Sequence, residues 1–292
     1  MRWSDEGRSS DLEDRRGDSG GGGIGGLGLP LLMMLTSRMG LGGVVLFLVL
    51  AFFFRGTFSS LLGGGTAGTP SRAVQPVNDP AEEPKVRFVS FVLDDTQKTW
   101  ERIFQERGVP YQHAHLVLFR DMTRSGCGMA QSATGPFYCP EDNKVYIDLG
   151  FYDELRSRFG ADGDFAQAYV LAHEIGHHVQ FLLGTERKVR QAMQSNPGEQ
   201  NALSVRMELQ ADCYAGIWGH STEQRKLIDE GDIASALNAA AAIGDDRIQK
   251  MSGRGVSPES FTHGSSEQRQ MWFKRGLDSG SLESCNTFTA AQ

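Results

Sequence analysis

The sequence predicts an α+β domain, mostly helical with a small sheet, set behind a single apolar N-terminal segment. Three observations lead there. The strand-like runs are few and early, a long series of helical patterns follows them, and 292 residues leave room for one domain with a full core.

In chain order, residues 1–38 carry the Gly-rich run at 20–36 and are expected to form a flexible cytoplasmic tail. Residues 39–62, MGLGGVVLFLVLAFFFRGTFSSLL, are uncharged from Met39 to Phe54 and read as one transmembrane helix, with Arg55 snorkelling at its end. A cleaved signal peptide is the rival, but the run lies far from Met1 and no small-x-small site follows. Arg2, Arg8, Arg15, Arg16 and Arg38 precede the span, against Arg55 and Arg72 soon after it. The positive-inside rule then places the N-terminus in the cytoplasm and the rest of the chain outside the cytoplasmic membrane. Residues 63–85, rich in Gly, Pro and Thr, read as a flexible linker to a folded domain over 86–292.

Within that domain, Phe91, Val92, Trp100, Ile103 and Phe104 recur at helical spacing over 86–108, and Gly108 and Pro110 end the run. HLVLFRD (115–121) and KVYIDL (144–149) read as strands; in the second, Val145, Ile147 and Leu149 alternate with Tyr146 and Asp148, as in a half-buried strand. It is either a core strand or a sheet edge to which an extended peptide could add. Asp164 with Gln167 has the spacing of a capping box, and Gly184 is a stop, so a helix is expected over 165–183. Further helices are expected at 199–218, ended by Gly219, at 222–229, at 233–250, and at 266–275, the last opened by Ser265 with Gln268.

The net charge of −7 and the absence of a Lys/Arg cluster interleaved with aromatics argue against nucleic acid. Four cysteines occur and none is spaced CxxC. Two disulfides, Cys127–Cys139 and Cys213–Cys285, are the favoured arrangement; buried free thiols are the alternative.

The chemistry concentrates in YVLAHEIGHHVQF, residues 169–181. Four residues apart on a helix, His173 and His177 share a face and form half of a tetrahedral Zn2+ site. Glu174, about 100° away from His173, is poised to hold a water at the open metal position and move its proton. This is the His-Glu-x-x-His arrangement of metallopeptidases. His178 faces elsewhere and reads as a satisfied or exposed helix histidine. Gln180 and Leu183 stand where a His-x-x-Gly-x-x-His extension would need Gly and His, so the third ligand must come from another segment. In MELQADCYAGIW (207–218), Glu208 is the candidate third ligand and Asp212 the acceptor for a ligand histidine's outward N–H; the exchange of these two roles is the other version.

These elements, with GPFYCPEDNKVYIDL (135–149), FTHGSSEQR (261–269) and the opening MRWSDEGRSSDLEDRRG, resemble the YpfJ-like neutral zinc metallopeptidases of bacteria, over most of 86–288. ELQAD is also similar to the Glu-x-x-Ala-Asp element of gluzincins. The resemblance implies a zincin-like fold and proteolysis, with His173, His177 and Glu208 as zinc ligands and Glu174 as catalytic base. The position of His263 resembles a Thr-His element of gluzincins, which makes it the first candidate to stabilise the oxyanion, ahead of Tyr214 and Tyr138. The expected substrate is protein or peptide outside the membrane. A tethered, zinc-stabilised binding protein without activity is the alternative reading, disfavoured because a structural site needs no base beside it.

Overall fold

The structure, a computed structural model, describes residues 1–18, 80–131, 135–157, 160, 163–253 and 255–289. A four-stranded sheet has the order β1-β2-β6-β5, from β1 (Leu12–Asp14), β2 (His115–Phe119), β6 (Lys144–Asp148) and β5 (Phe137–Cys139). β1 and β6 run parallel to β2, and β5 runs antiparallel to β6. A separate hairpin joins β3 (Met122–Ser125) to β4 (Gly128–Gln131).

KVYIDL was expected to be half-buried, but both faces of this strand are covered. Leu116, Leu118, Val145 and Ile147 enter the main core, while Val117, Phe119 and Tyr146 pack with Ala130 and Cys139 on the other face. β6 therefore lies inside the sheet, and the end strands are β1 and, next to β6, β5.

The main core is closed by α1 (Glu83–Glu106), which presents Val86, Val89, Leu93, Trp100 and Phe104 at helical spacing. Pro84 sits in its first turn, where a missing N–H costs nothing, so the helix opens three residues before the expected domain start. After α2 (Gly150–Ser157) comes α3 (Asp164–Leu182), with Gly163 rather than Asp164 at its N-cap and no side-chain cap bond. Gly184 then takes a left-handed conformation and the chain turns into α4 (Thr185–Ser195). α5 (Gln200–Gln224) runs through the expected stop at Gly219 and absorbs the start of the helix expected at 222–229. α6 (Glu230–Ala242) and α7 (Asp245–Met251) replace the single helix expected over 233–250. α8 (Ser266–Ser279) begins with the expected capping box of Ser265 and Gln268. Both expected disulfides, Cys127–Cys139 and Cys213–Cys285, are formed.

The membrane topology is corrected. No helix among the described residues is long and apolar enough to cross a membrane, and the expected span at 39–62 lies outside the described residues. Residues 1–17 are no flexible tail either. They share one folded unit with residues 76–292, β1 extends the sheet, and Trp3 packs edge-on against Phe88 at 5.5 Å. A single crossing between them would put the two parts of one sheet on opposite sides, so the inside-out placement of tail and domain does not hold.

Candidate metal centre

Two helix crossings build the site. α3 meets α5 at Gly176, where an added Cβ would fall 2.9 Å from the Ala211 carbonyl oxygen. Backbones this close bring the His173–His177 face of α3 directly over Glu208, one turn before Ala211. α8 meets α5 even more tightly: a Cβ on Gly276 would lie 1.9 Å from the Cys213 oxygen. That contact sets the start of α8 beside Asp212.

The side chains converge. His173 Nε2 lies 3.3 Å from Glu208 Oε2, and His177 Nε2 lies 3.5 Å from Glu208 Oε1. One donor atom from each of the three residues falls within 4.8 Å of the others. These gaps are long for direct hydrogen bonds. Ligand atoms about 2.05 Å from a tetrahedral zinc stand about 3.3 Å apart, and each Nε2 lies at about that distance from one of the two Glu208 oxygens. Two imidazoles and one carboxylate are also the donor chemistry zinc takes in catalytic sites, so the residues present fit the metal. Exchange of the Glu208 and Asp212 roles does not fit, because Asp212 is fully buried and engaged on the far side of His173.

The outer partners set the tautomers. His173 Nδ1–H donates to Asp212 Oδ1 at 2.8 Å. His177 Nδ1–H donates to Gln180 Oε1 at 2.9 Å, and Gln180 is itself oriented by its amide donating to the Met207 carbonyl at 2.7 Å. Both Nε2 atoms are thereby left facing Glu208. Burial works against charge on His173, yet the Asp212 and Glu208 carboxylates outweigh it and raise its pKa. Burial likewise opposes ionisation of Glu208, but the two histidines hold its carboxyl well below the ordinary range. A cation seated among the three would take the place of those protons.

Glu174 is 7% exposed and lines the same cleft, of about 570 Å3. Burial pushes its carboxyl above the usual value, with His173 and His177 opposing. His263 also lines the cleft. Its Nδ1 lies 3.1 Å from Asp245 Oδ1, while Asp245 Oδ2 accepts the backbone N–H groups of Thr262, His263 and Gly264. The hydrogen bond to Asp245 raises the pKa of His263 against the effect of burial.

The other candidates separate. Tyr214 is buried against Trp100 and does not line this cleft. Tyr138 does line it, but its hydroxyl is 3.0 Å from both His178 Nδ1 and Asn143 Oδ1. His178 is fully buried and satisfied, its Nε2–H donating to the Gln112 carbonyl at 2.6 Å, and burial lowers its pKa to about 4. Four participants escaped the sequence reading: Gln180, Tyr169, Asp245 and Arg269. Gln180 and Tyr169 stand three after His177 and four before His173, a spacing that marks one helical face.

The chain matches over residues 1–288 the family model described as "Putative neutral zinc metallopeptidase". "Uncharacterized protein YpfJ" of Escherichia coli (strain K12) is 51% identical over 291 residues, 99% of each chain. "Uncharacterized protein Rv2575" of Mycobacterium tuberculosis (strain ATCC 25618 / H37Rv) is 42% identical over 216 residues, 70% of this chain and 72% of the relative. No solved structure matches the chain at a significant level.

Proposed function

The chain belongs to the neutral zinc metallopeptidase family, and from that premise we propose that it is a zinc-dependent peptidase cutting protein or peptide chains in the cleft above α3. The observation that carries this reading is the pair of 3.3 and 3.5 Å gaps between two histidine nitrogens and the two oxygens of Glu208. His173, His177 and Glu208 would hold the metal, which when bound supplies a Lewis acid for the scissile carbonyl and acidifies a water beside it. Glu174, raised by burial, would accept the proton of the attacking water on its carboxylate and pass it to the leaving amine. His263, held by Asp245, would donate from Nε2 to the oxygen that gains charge. The substrate backbone would lie along β5, an end strand, whose Phe137 and Tyr138 border the cleft.

The test uses the full chain. Zinc content is measured and cleavage of a broad peptide library is compared with a Glu174→Gln variant. About one zinc per chain in both proteins is expected, with turnover reduced at least a hundredfold in the variant. Equal turnover by both, or none by either at full zinc loading, would overturn the reading.

A further inference from the structure

α8 brings to the site a residue that no ligand motif contains. Arg269 is 2% exposed, and its guanidinium meets Asp212 as a fork: Nε donates to Oδ2 and Nη2 to Oδ1, each at 2.8 Å. Tyr169 donates its hydroxyl to Oδ1 at 2.5 Å, and His173 Nδ1–H reaches the same oxygen at 2.8 Å. Four donors fill one fully buried carboxylate. Nδ1 of His173 is thereby held against Asp212, and Nε2 is turned toward Glu208.

We propose that Arg269 is a positioning residue for the metal centre: by gripping both oxygens of Asp212 it fixes the carboxylate plane, and through it the rotation and tautomer of His173. This rests on the reading of His173 as a zinc ligand. A carboxylate held by one donor can swing about its Cβ–Cγ bond, whereas a planar fork removes that freedom. Lysine would supply the charge but only as a point, without the plane. The grip is braced from behind. Arg269 lies two turns before Gly276, where α8 and α5 touch backbone to backbone, and its Nη1 donates to the Ile243 carbonyl at 3.4 Å. The crossing fixes where the Arg269 backbone stands relative to Asp212 on α5.

A purely structural role, in which Arg269 only neutralises a buried charge, makes a different forecast. Arg269→Lys keeps the charge and would keep the metal site; under the proposal it loses the fork. The experiment titrates zinc against a chromophoric chelator in the full chain, records the visible spectrum of the cobalt-substituted protein, and melts the metal-free forms. Zinc binding by Arg269→Lys is expected to weaken 10- to 100-fold, with an altered cobalt spectrum and a folded metal-free protein. Should that variant not fold, Arg269→Gln, which keeps one planar amide donor to Asp212 without the fork, is expected to show the same loss of zinc affinity. Zinc affinity within twofold of the parent in either folded variant overturns the proposal, as does failure of both to fold without metal. His173→Ala separates the two readings: if it binds zinc like the parent, the ligand assignment falls and not merely the role of Arg269.

Discussion

Gly176→Ala probes the tolerance of the centre without touching a ligand. The new methyl would sit 2.9 Å from the Ala211 oxygen and 3.1 Å from its Cα, about 0.5 Å short of an ordinary contact at 3.4 Å. Neither neighbour is a flexible side-chain tip, so α3 and α5 must part by roughly that amount. Alanine favours the helix by about 1 kcal/mol, while overpacking costs about 1 to 3 kcal/mol, so the metal-free fold should lose no more than about 2 kcal/mol. The metal site is less forgiving. His173 and His177 stand on one helix and Glu208 on the other, and zinc bond lengths tolerate only about 0.2 Å. Zinc affinity should therefore fall at least tenfold, while the melting point of the metal-free protein moves by a few degrees. The assay pairs chelator competition with calorimetry of the metal-free form. Unchanged zinc affinity, with stability either raised by the alanine or lowered, would refute the argument that this crossing sets the ligand spacing.

His263→Ala should leave zinc binding intact and lower kcat by about 100- to 1000-fold, and Asp245→Asn should fall between that variant and the parent; steady-state kinetics on a cleaved peptide decide both. The His113 ring lies 2.7 Å from Asp11 and 2.8 Å from Glu101, and these carboxylates raise its pKa against partial burial. Its contribution is complete below about pH 6.5 and is lost as pH rises through the higher folded value, so the urea midpoints of parent and His113→Gln should converge from pH 6 to pH 9. Loss of Cys213–Cys285, separated by 72 in sequence, should cost about 4 kcal/mol, and loss of Cys127–Cys139, separated by 12, about 3 kcal/mol. Denaturant titration of the paired Cys→Ser variants measures both.

Much of the centre was legible because its parts repeat every four residues. His173 with His177 and Glu208 with Asp212 each mark a face, and Ser265 with Gln268 marks a cap. What escaped depends on contacts between distant segments. Gly219 looks like a helix stop, yet it lies inside α5 against Leu277, and no local signal separates a cap from a crossing. Arg269 and Asp245 are single polar residues whose burial is decided at a distance, the first by α8 packing on α5 and the second by the 262–264 backbone closing on the start of α7. The strand Leu12–Asp14 has no β-branched or aromatic residue, and only its partner β2 makes it a strand. The four-residue reach of helical logic could not show that the first residues belong to the domain.

Strand β1 also fixes an order of events during synthesis. Leu12 pairs with Leu116, so the first strand to leave the ribosome waits for a partner roughly a hundred residues behind it, about 5 to 20 s at ordinary elongation rates. As long as the two have not paired, β2 has one open side, a template on which a strand from another nascent chain could settle. A chain shortened at its start would keep that open side for good, and its yield would be limited by self-association before its chemistry could be assayed.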